Sequence, residues 1–347
     1  MKKVNVGIVG YGLSGETFHA PIIRSIKGME ILKVVSSNPQ KVKKNLPNAE
    51  VVSSIEELLS DESIDLVVIT SPNPTHYSYA KQSLLAGKHV VVEKPFVIHV
   101  EEASDLIKTA KQQNKTLSVF QNRRWDNDFL TIKHCIKSEV MGEIFLYEAH
   151  YDRYRPEISS RWRETDAPGS GMLYDLGAHL IDQALHLFGT PMNVYGDVTS
   201  QRENSLVDDY FHIVLTYGRT RVILHSGSLV RRQGPRFQVH GSKGSFIKSG
   251  LDSQEDFLRQ GKLPGCVDWG KDKEEWYGDL TVGIGERALT GKIETIPGSY
   301  ESFYQGIYQA ITENTPLPVT ANEALNTIKV IELVKKSSEE KRTLPFE

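Results

Sequence analysis

The chain has 347 residues, 39% of them hydrophobic, and its 41 Lys and Arg against 44 Asp and Glu leave a net charge of −3. With no excess of cations to neutralise a phosphate backbone, nucleic acid is excluded as an expected partner. Cys135 and Cys266 lie far apart and form no His/Cys cluster, so neither a disulfide framework nor a metal site is predicted. No apolar run approaches the roughly 20 residues that a bilayer requires, so we expect a soluble, cytoplasmic protein without membrane contact.

The first third of the chain alternates short β-branched segments with amphipathic helical patterns, as parallel βαβ units do. Strands are predicted at 4–9, 31–36, 65–70, 89–93 and 116–121. Crossover helices are predicted at 18–26, 56–59, 75–85 and 100–113. This pattern indicates an α/β domain with helices on both faces of a parallel sheet.

After residue 122 the pattern changes to a helix near 128–140, a β-rich stretch over 143–249, and closing helices near 301–313 and 321–339. Short glycine-containing turns join the later strands, which indicates antiparallel pairing. Residues 261–278 are predicted to form a loop. We therefore predict a dinucleotide-binding α/β domain over 1–122 and an α+β domain with a large, mostly antiparallel open sheet over 123–347.

The hexapeptide GYGLSG at 10–15 stands between the first strand and the first helix. There Gly10 permits a tight turn, Gly12 lets the backbone approach a pyrophosphate, and Gly15 lets the helix pack closely on the strand. The helix N-terminus then faces the anion. The alternative is a glycine-rich turn that holds no ligand. The loop residues predicted to contact a dinucleotide are Gly10, Tyr11, Gly12, Leu13 and Gly15.

The end of the second strand bears on the choice of cofactor. NAD enzymes place an acidic residue there for the ribose hydroxyls, but no Asp or Glu occurs between Glu30 and Glu50. The polar residues that can instead donate to a 2′-phosphate are Ser36, Ser37, Asn38 and Lys41. We therefore predict NADP as the cofactor, with NAD less favoured. The serines could also simply start a turn and cap a helix beginning near Pro39.

Two further strand ends carry polar residues, and ligands bind at the carboxyl ends of strands in such sheets. After the strand at 65–70, the predicted cofactor contacts are Ser71, Pro72, Asn73 and His76. The next strand ends in Glu93-Lys94-Pro95, and both charged residues are predicted to lie at the cofactor. There the Lys94 amine can bind a substrate hydroxyl and stabilise a developing alkoxide. The alternative is a solvated lysine with Glu93 as its surface partner.

The segment from Gly169 to His186 supplies a second polar set. If it is helical, Asp175, His179, Asp182 and His186 share one stripe, so Asp175 and His179 can face the same small volume. A histidine can exchange a substrate proton near neutral pH while a carboxylate one turn away orients it or binds another hydroxyl. The alternatives are polar core or cap residues and a metal site, although the H-E-x-x-H spacing is missing.

Mixed polar and aromatic segments lie near the predicted domain junction. Asn122 in 121–125, and Tyr151 and Arg153 in 151–155, are predicted to contact the substrate or the nicotinamide carboxamide. Ion pairs between the domains are the alternative for both segments. Trp162 and Arg163 are further candidates for contact with the cofactor.

In this order along the chain, GYGLSG, EKP at 93–95 and G-S-G-x-x-x-D-x-G-x-H-x-x-D at 169–182 resemble the Gfo/Idh/MocA oxidoreductase family. FHAP at 18–21, NRRWDNDF at 122–129 and YDRYRPE at 151–157 are similar to its NADP-dependent scyllo-inositol dehydrogenase subgroup. Ser170 replaces a glycine that is common in the family, and Ser36-Ser37 replace the acidic residue of NAD-using members.

The resemblance implies a Rossmann domain followed by an α+β domain whose open sheet covers the active site and often builds dimers or tetramers. It implies that Lys94 is the lysine of the EKP motif, that the Lys94–Pro95 bond is cis, and that Asp175 and His179 bind substrate and transfer its proton. The expected activity is NADP-dependent interconversion of a secondary alcohol and a ketone on a cyclic polyol or sugar, foremost scyllo-inositol and an inosose. The alternatives are an aldose dehydrogenase, a dinucleotide-sensing regulator without turnover, and glycoside cleavage with a tightly held NAD.

Overall fold

The computed structural model describes residues 2–159 and 164–347. Their packing divides the chain into two compact units. The first contains the residues up to Trp125, together with Gln254–Trp269 and Ser299–Leu325. The second contains Asp126–Ser253, Gly270–Gly298 and Asn326–Glu347. The units are thus discontinuous in sequence, whereas the predicted domains are contiguous.

The first unit is built on a six-stranded parallel sheet of order β3-β2-β1-β4-β5-β6. Its strands are β1 Val4–Val9, β2 Met29–Val35, β3 Glu50–Val52, β4 Leu66–Ile69, β5 His89–Val92 and β6 Leu117–Val119. Its helices in the N-terminal part are α1 Ala20–Ser25, α2 Pro39–Asn45, α3 Ile55–Leu59, α4 His76–Leu85 and α5 Val100–Gln112. Every residue of β4 is fully buried, as in a strand covered on both faces. The strand order reverses direction between β1 and β4, and this switch point is where such sheets bind ligands.

A later helix belongs to the first unit, although the predicted boundary assigned it to the second domain. This helix is α9 Glu301–Glu313. The preceding helices are α6 Asn127–Lys137, α7 Ala178–Phe188 and α8 Gln254–Arg259, and the next is α10 Ala321–Glu340. The aromatic side chains Phe303 and Tyr304 of α9 pack against Phe120 with ring centroids 5.0 and 5.7 Å away. Both rings are fully buried, so apolar packing ties α9 to the end of the parallel sheet.

The second unit contains a nine-stranded sheet of order β14-β13-β12-β11-β7-β10-β9-β8-β15. Its strands are β7 Ile144–His150, β8 Asn193–Thr199, β9 Tyr210–Tyr217, β10 Thr220–Gly227, β11 Phe237–Gly241, β12 Gly244–Lys248, β13 Gly278–Ile284, β14 Arg287–Ile293 and β15 Leu344–Pro345. All pairs are antiparallel except β7 with β10, so the predicted sheet class is confirmed. The sheet also extends beyond the predicted limit at residue 249. Strand β14 was not predicted because it is largely exposed and lacks a buried apolar pattern.

Side chains alternate across the central strands of this sheet. Tyr147, Phe211 and Leu224 are fully buried on one face, while their sequence neighbours on the other face are only partly buried. Among the described residues, none of the helices has the length and apolarity needed to cross a membrane.

Candidate active site

The glycines of GYGLSG meet different constraints. Gly10 has a φ of +92°, and a Cβ there would lie 3.0 Å from the backbone nitrogen of Ser71. A Cβ at Gly15 would lie 2.8 Å from the Gly10 carbonyl oxygen and from Thr70 Oγ1. A Cβ at Gly12 would meet no protein atom within 4 Å. Packing therefore explains Gly10 and Gly15, while Gly12 leaves the loop backbone open to a ligand, as a pyrophosphate site requires. Of the other loop residues, Tyr11 is 5% and Leu13 49% exposed.

The residues predicted to favour NADP lie beside this loop. The Gly10 amide donates to the Val35 carbonyl (3.0 Å), which joins the loop to the end of β2. The Lys41 amine donates to the Tyr11 carbonyl (3.1 Å) and pairs with Glu16 at 2.9 Å. Asn38 accepts from the Lys41 amide and caps α2, as expected. Ser36 accepts from the Asn38 amide, and Ser37 is exposed. Hydroxyl, amide and ammonium groups are thus found at the end of β2 and at the start of α2, next to the glycine loop.

The polar residues after β4 hold two strand ends together. His76 is 1% exposed, and its ring nitrogens each lie 2.9 Å from a backbone carbonyl, those of Pro95 and Ser71. Burial lowers the pKa of His76, so the ring is neutral and donates to one carbonyl at a time. Ser71 Oγ lies 2.6 Å from Thr75 Oγ1. Asn73 is buried and Pro72 exposed in the turn between β4 and α4.

Glu93, at the end of β5, is enclosed by donors. Its Oε1 accepts from the Ser14 hydroxyl of the glycine loop and from His19 Nε2 at 3.0 Å, and its Oε2 accepts from the Lys94 amide at 2.7 Å. Burial by itself raises the pKa of Glu93, but the His19 hydrogen bond and charge, with those of Lys94 and Ser14, outweigh it and hold the pKa at about 2. The carboxylate therefore links the glycine loop to the lysine. The Lys94–Pro95 bond is cis, as expected.

His19 and Tyr304 complete this network, and sequence reasoning missed both as functional residues. The fully buried His19 ring lies against Phe120, with centroids 4.2 Å apart, and its Nδ1 contacts the Tyr304 hydroxyl. Burial and the Glu93 charge raise the pKa of Tyr304 well above its usual range, so the tyrosine keeps its hydroxyl proton and the His19 ring bridges this hydroxyl and the Glu93 carboxylate. The available signals were the histidine of the FHAP motif and the predicted helix near 301–313, which contains Tyr304.

In the second unit, Asp175 and His179 lie on one continuous helical segment, as predicted. A π-helical turn, Leu173–Gly177, leads into α7, which contains His179. His179 is 6% and Asp182 2% exposed. Lys133 Nζ lies 2.7 Å from His186 Nε2, so His186 has a partner on α6. Such π turns occur frequently at functional sites.

Asp208 supports the start of this segment and was also missed. Its carboxylate accepts from the Leu173 amide (2.7 Å), and its carbonyl accepts from the Met172 amide (3.0 Å). A Cβ at Gly171 would lie 2.1 Å from Asp208 Oδ1, which explains the second glycine of the Gly-Ser-Gly motif. Burial raises the pKa of Asp208 to about 6 despite these backbone hydrogen bonds.

A cavity of about 90 Å³ within the second unit brings together Arg153, Asp175 and Asp208. Arg202 also lines it and is paired with Asp209 at 2.8 Å. Tyr151, by contrast, is 5% exposed, and its ring lies 3.7 Å from the Arg236 guanidinium carbon. Arg153 and Asp175, each predicted to contact substrate, thus line the same cavity, and their contact with substrate stays a prediction.

The segment 121–125 lies inside the first unit. Asn122 is 5% exposed in a 3₁₀ turn, Asn122–Trp125. Arg123 pairs with Glu255 at 2.6 Å and Arg124 with Glu323 at 2.8 Å. Both of these ion pairs lie within one compact unit. Trp162 and Arg163 lie outside the described residues.

A parallel sheet with an open glycine loop at its switch point, and a lysine at a neighbouring strand end, defines a dinucleotide-dependent oxidoreductase. The family models agree with this class. Residues 4–121 match the model described as "Oxidoreductase family, NAD-binding Rossmann fold", and residues 133–346 match "Oxidoreductase family, C-terminal alpha/beta domain". The chain belongs to the Gfo/Idh/MocA oxidoreductase family, and is a dehydrogenase that acts on CH–OH groups of a small-molecule substrate with a nicotinamide dinucleotide.

Similar proteins cover almost the whole chain. Scyllo-inositol 2-dehydrogenase (NADP(+)) IolW of Bacillus subtilis is 47% identical over 344 residues, which are 99% of this chain and 96% of that protein. The oxidoreductase YdgJ of Escherichia coli is 43% identical, over 99% of this chain and 98% of its own. The solved structure of yvaA from Bacillus subtilis has a TM-score of 0.98 and 46% identity, covering 100% of this chain and 99% of the other.

Proposed function

We propose that this dehydrogenase uses NADP to interconvert a secondary alcohol and a ketone on a cyclic polyol, with scyllo-inositol and an inosose as the foremost pair. The observation that carries the proposal is Lys94 at the end of β5, directly after a carboxylate that is hydrogen-bonded to the glycine loop. The similarity to a relative named scyllo-inositol 2-dehydrogenase (NADP(+)) supports the substrate and the cofactor.

The preference for NADP rests on the residues beside the glycine loop. Ser36, Ser37 and Asn38 donate hydrogen bonds to the 2′-phosphate, and the Lys41 ammonium neutralises its charge. The absence of a carboxylate between Glu30 and Glu50 removes the repulsion that an NAD site presents. Tighter binding of NAD than of NADP would contradict this part of the proposal.

Lys94, His179 and Asp175 are the residues that we propose to act at the substrate oxygen. The Lys94 ammonium donates to the reacting oxygen and stabilises the alkoxide that develops on it. His179 accepts the hydroxyl proton, while Asp175 orients the imidazole or binds a neighbouring hydroxyl. Arg153 and Tyr151 contact further hydroxyls of the ring. NADP, when bound, supplies hydride exchange at its nicotinamide ring.

The test is steady-state kinetics on a panel of inositols and aldoses with NADP and NAD, followed by absorbance of the reduced nicotinamide. We expect the highest kcat/KM for scyllo-inositol with NADP. Lys94→Ala should lower kcat by roughly 10²- to 10⁴-fold while NADP affinity is kept. Lys81→Ala is the matched control, because this lysine pairs with Asp105 on the surface of the first unit.

Other outcomes identify the alternatives. Preference for an aldose would indicate a sugar dehydrogenase, and NADP binding without turnover on any polyol would indicate a regulator. Cleavage of a glycoside with no net change in the cofactor would indicate the third alternative. We also propose that the protein forms a dimer or tetramer, which sedimentation velocity measures directly.

A further inference from the structure

A row of histidines crosses the more polar face of the nine-stranded sheet. In the strand register, His225 of β10 is opposite His150 of β7 on one side and His212 of β9 on the other, and His212 is opposite Asp197 of β8. The rings are close: the centroids of His150 and His225 are 5.2 Å apart, and those of His212 and His225 are 6.0 Å apart. Three imidazoles thus stand side by side on adjacent strands.

A carboxylate lies between two of these rings. Asp152, two residues after His150, places its Oδ2 3.2 Å from His150 Nδ1 and its Oδ1 2.8 Å from His225 Nδ1. Its Oδ1 also accepts from the Gly227 amide at 3.2 Å, which fixes the carboxylate against β10. Each of the three residues offers one ligand atom within 4.8 Å of the other two.

This cluster is separate from the cavity that contains Asp175. Consecutive residues of an extended chain point to opposite sides. Arg153 lines the cavity, whereas the preceding Asp152 contacts the histidines of the sheet face. The side chains of His150, Asp152 and His225 are 26%, 8% and 17% exposed, so the cluster is partly enclosed and still open to solvent.

We propose that His150, Asp152 and His225 bind one divalent transition-metal cation of the zinc class. Two imidazole nitrogens and a carboxylate oxygen are a ligand set that zinc takes, with a fourth position left for water. Ligands about 2.0–2.1 Å from a tetrahedral ion lie roughly 3.3 Å apart. The three ligand atoms lie within 4.8 Å of one another, and the two imidazole nitrogens are 3.2 and 2.8 Å from different oxygens of the Asp152 carboxylate, so a small rotation of the side chains would bring one oxygen and both nitrogens to an ion.

The surroundings suit this role. When the metal takes the Nδ1 lone pair of His150, the ring proton stands on Nε2, and Glu148 Oε2 lies 3.9 Å from that atom. The ion would join β7, β10 and the segment leading to Arg153.

The experiment titrates Zn²⁺ into tag-free, full-length protein that has been dialysed against a chelator, with calorimetry as the readout. Co²⁺ is titrated in parallel, since its visible absorption reports tetrahedral coordination. We expect saturable binding of one ion per chain and a higher thermal midpoint with Zn²⁺. His225→Ala should weaken binding by at least roughly 100-fold.

His240→Ala is the matched control, because His240 lies on β11 and its Nδ1 is 2.8 Å from Ser245 Oγ. This variant should bind Zn²⁺ like the original protein. Asp152→Asn keeps the side-chain shape and should also abolish the Zn²⁺-dependent rise in thermal midpoint, which covers the case that His225→Ala does not fold. The proposal is overturned if the original protein shows no saturable binding, or if Asp152→Asn binds Zn²⁺ equally well.

Discussion

Replacing Glu93 by Gln keeps the size of the side chain but removes the negative charge that Ser14, His19 and the Lys94 amide surround. The pKa of Glu93 is held at about 2, against an ordinary value of 4.5. Because a tenfold change in proton affinity corresponds to about 1.4 kcal/mol, the charged form stabilises the fold by about 3 kcal/mol at neutral pH. Glu93→Gln should lose this amount of unfolding free energy at pH 7.

The pH dependence follows from the lower pKa of the folded state. The stabilisation by Glu93 is complete above the unfolded-state pKa of 4.5 and is lost as the pH falls toward about 2. The deficit of Glu93→Gln relative to the original protein should therefore shrink by about 1 kcal/mol between pH 7 and pH 4.

Urea unfolding, followed by tryptophan fluorescence at both pH values, measures this difference. Amide hydrogen exchange in β1, β5 and β6 locates it in the first unit. Glu101→Gln is the control, because this exposed carboxylate on α5 should change stability by less than about 0.5 kcal/mol. The reasoning is refuted if Glu93→Gln is as stable as the original protein at pH 7, or if its deficit is the same at both pH values.

Four further substitutions separate binding, charge and packing. Gly12→Ala should leave the thermal midpoint unchanged but weaken NADP binding. Gly10→Ala should instead lower the midpoint, because the φ of Gly10 is +92° and Ser71 lies close to it. Differential scanning fluorimetry measures the midpoint, and cofactor titration measures the binding. The unfolding free energy of Asp208→Asn should rise by about 1 kcal/mol relative to that of the original protein between pH 5 and pH 8. The reason is that a carboxyl group whose pKa is raised to about 6 destabilises the fold as it ionises. The same difference in urea unfolding at both pH values would contradict this. Lys248→Met should lower the unfolding free energy by about 3–5 kcal/mol, because it leaves the buried carboxylate of Asp272 without its charged partner. Asp272 is 3% exposed and lies 3.0 Å from Lys248 Nζ. Unchanged stability in urea unfolding would show that the ion pair is not needed.

The sequence predicted the parallel sheet well because its strands are buried on both faces and its helices have an apolar stripe. Strand β1 and helix α9 match their predicted bounds, 4–9 and 301–313. The three-residue strand β3 was not predicted, since it is too short to show a period and begins with the exposed Glu50. Only helices and strands with a clear local apolar pattern could therefore be predicted from the sequence.

Contacts between distant residues could not be predicted in the same way. His19 and Tyr304 are 285 positions apart, and no spacing rule relates them. The parallel pairing of β7 with β10 depends on which strands become neighbours in the sheet, whereas the glycine turns report only on consecutive strands. The catalytic candidates were visible as motifs, but the groups that position them come from other parts of the chain.

The segments that begin at Gly15 and at Leu173 share one structural feature, a π-helical turn whose start is hydrogen-bonded to a carboxylate. Ser14 precedes the π-helical turn Gly15–His19 and donates to Glu93, while the Leu173 amide, at the start of the other π turn, donates to Asp208. In each case a carboxylate distant in sequence fixes the start of a helical turn that lacks regular α-helical hydrogen bonding. The positions of Lys94 and Asp175 within their own units therefore depend on partly or fully buried charges as well as on apolar packing. An amide in place of either supporting carboxylate should consequently alter kcat more than the affinity for NADP, because it displaces a positioned group without removing a ligand contact.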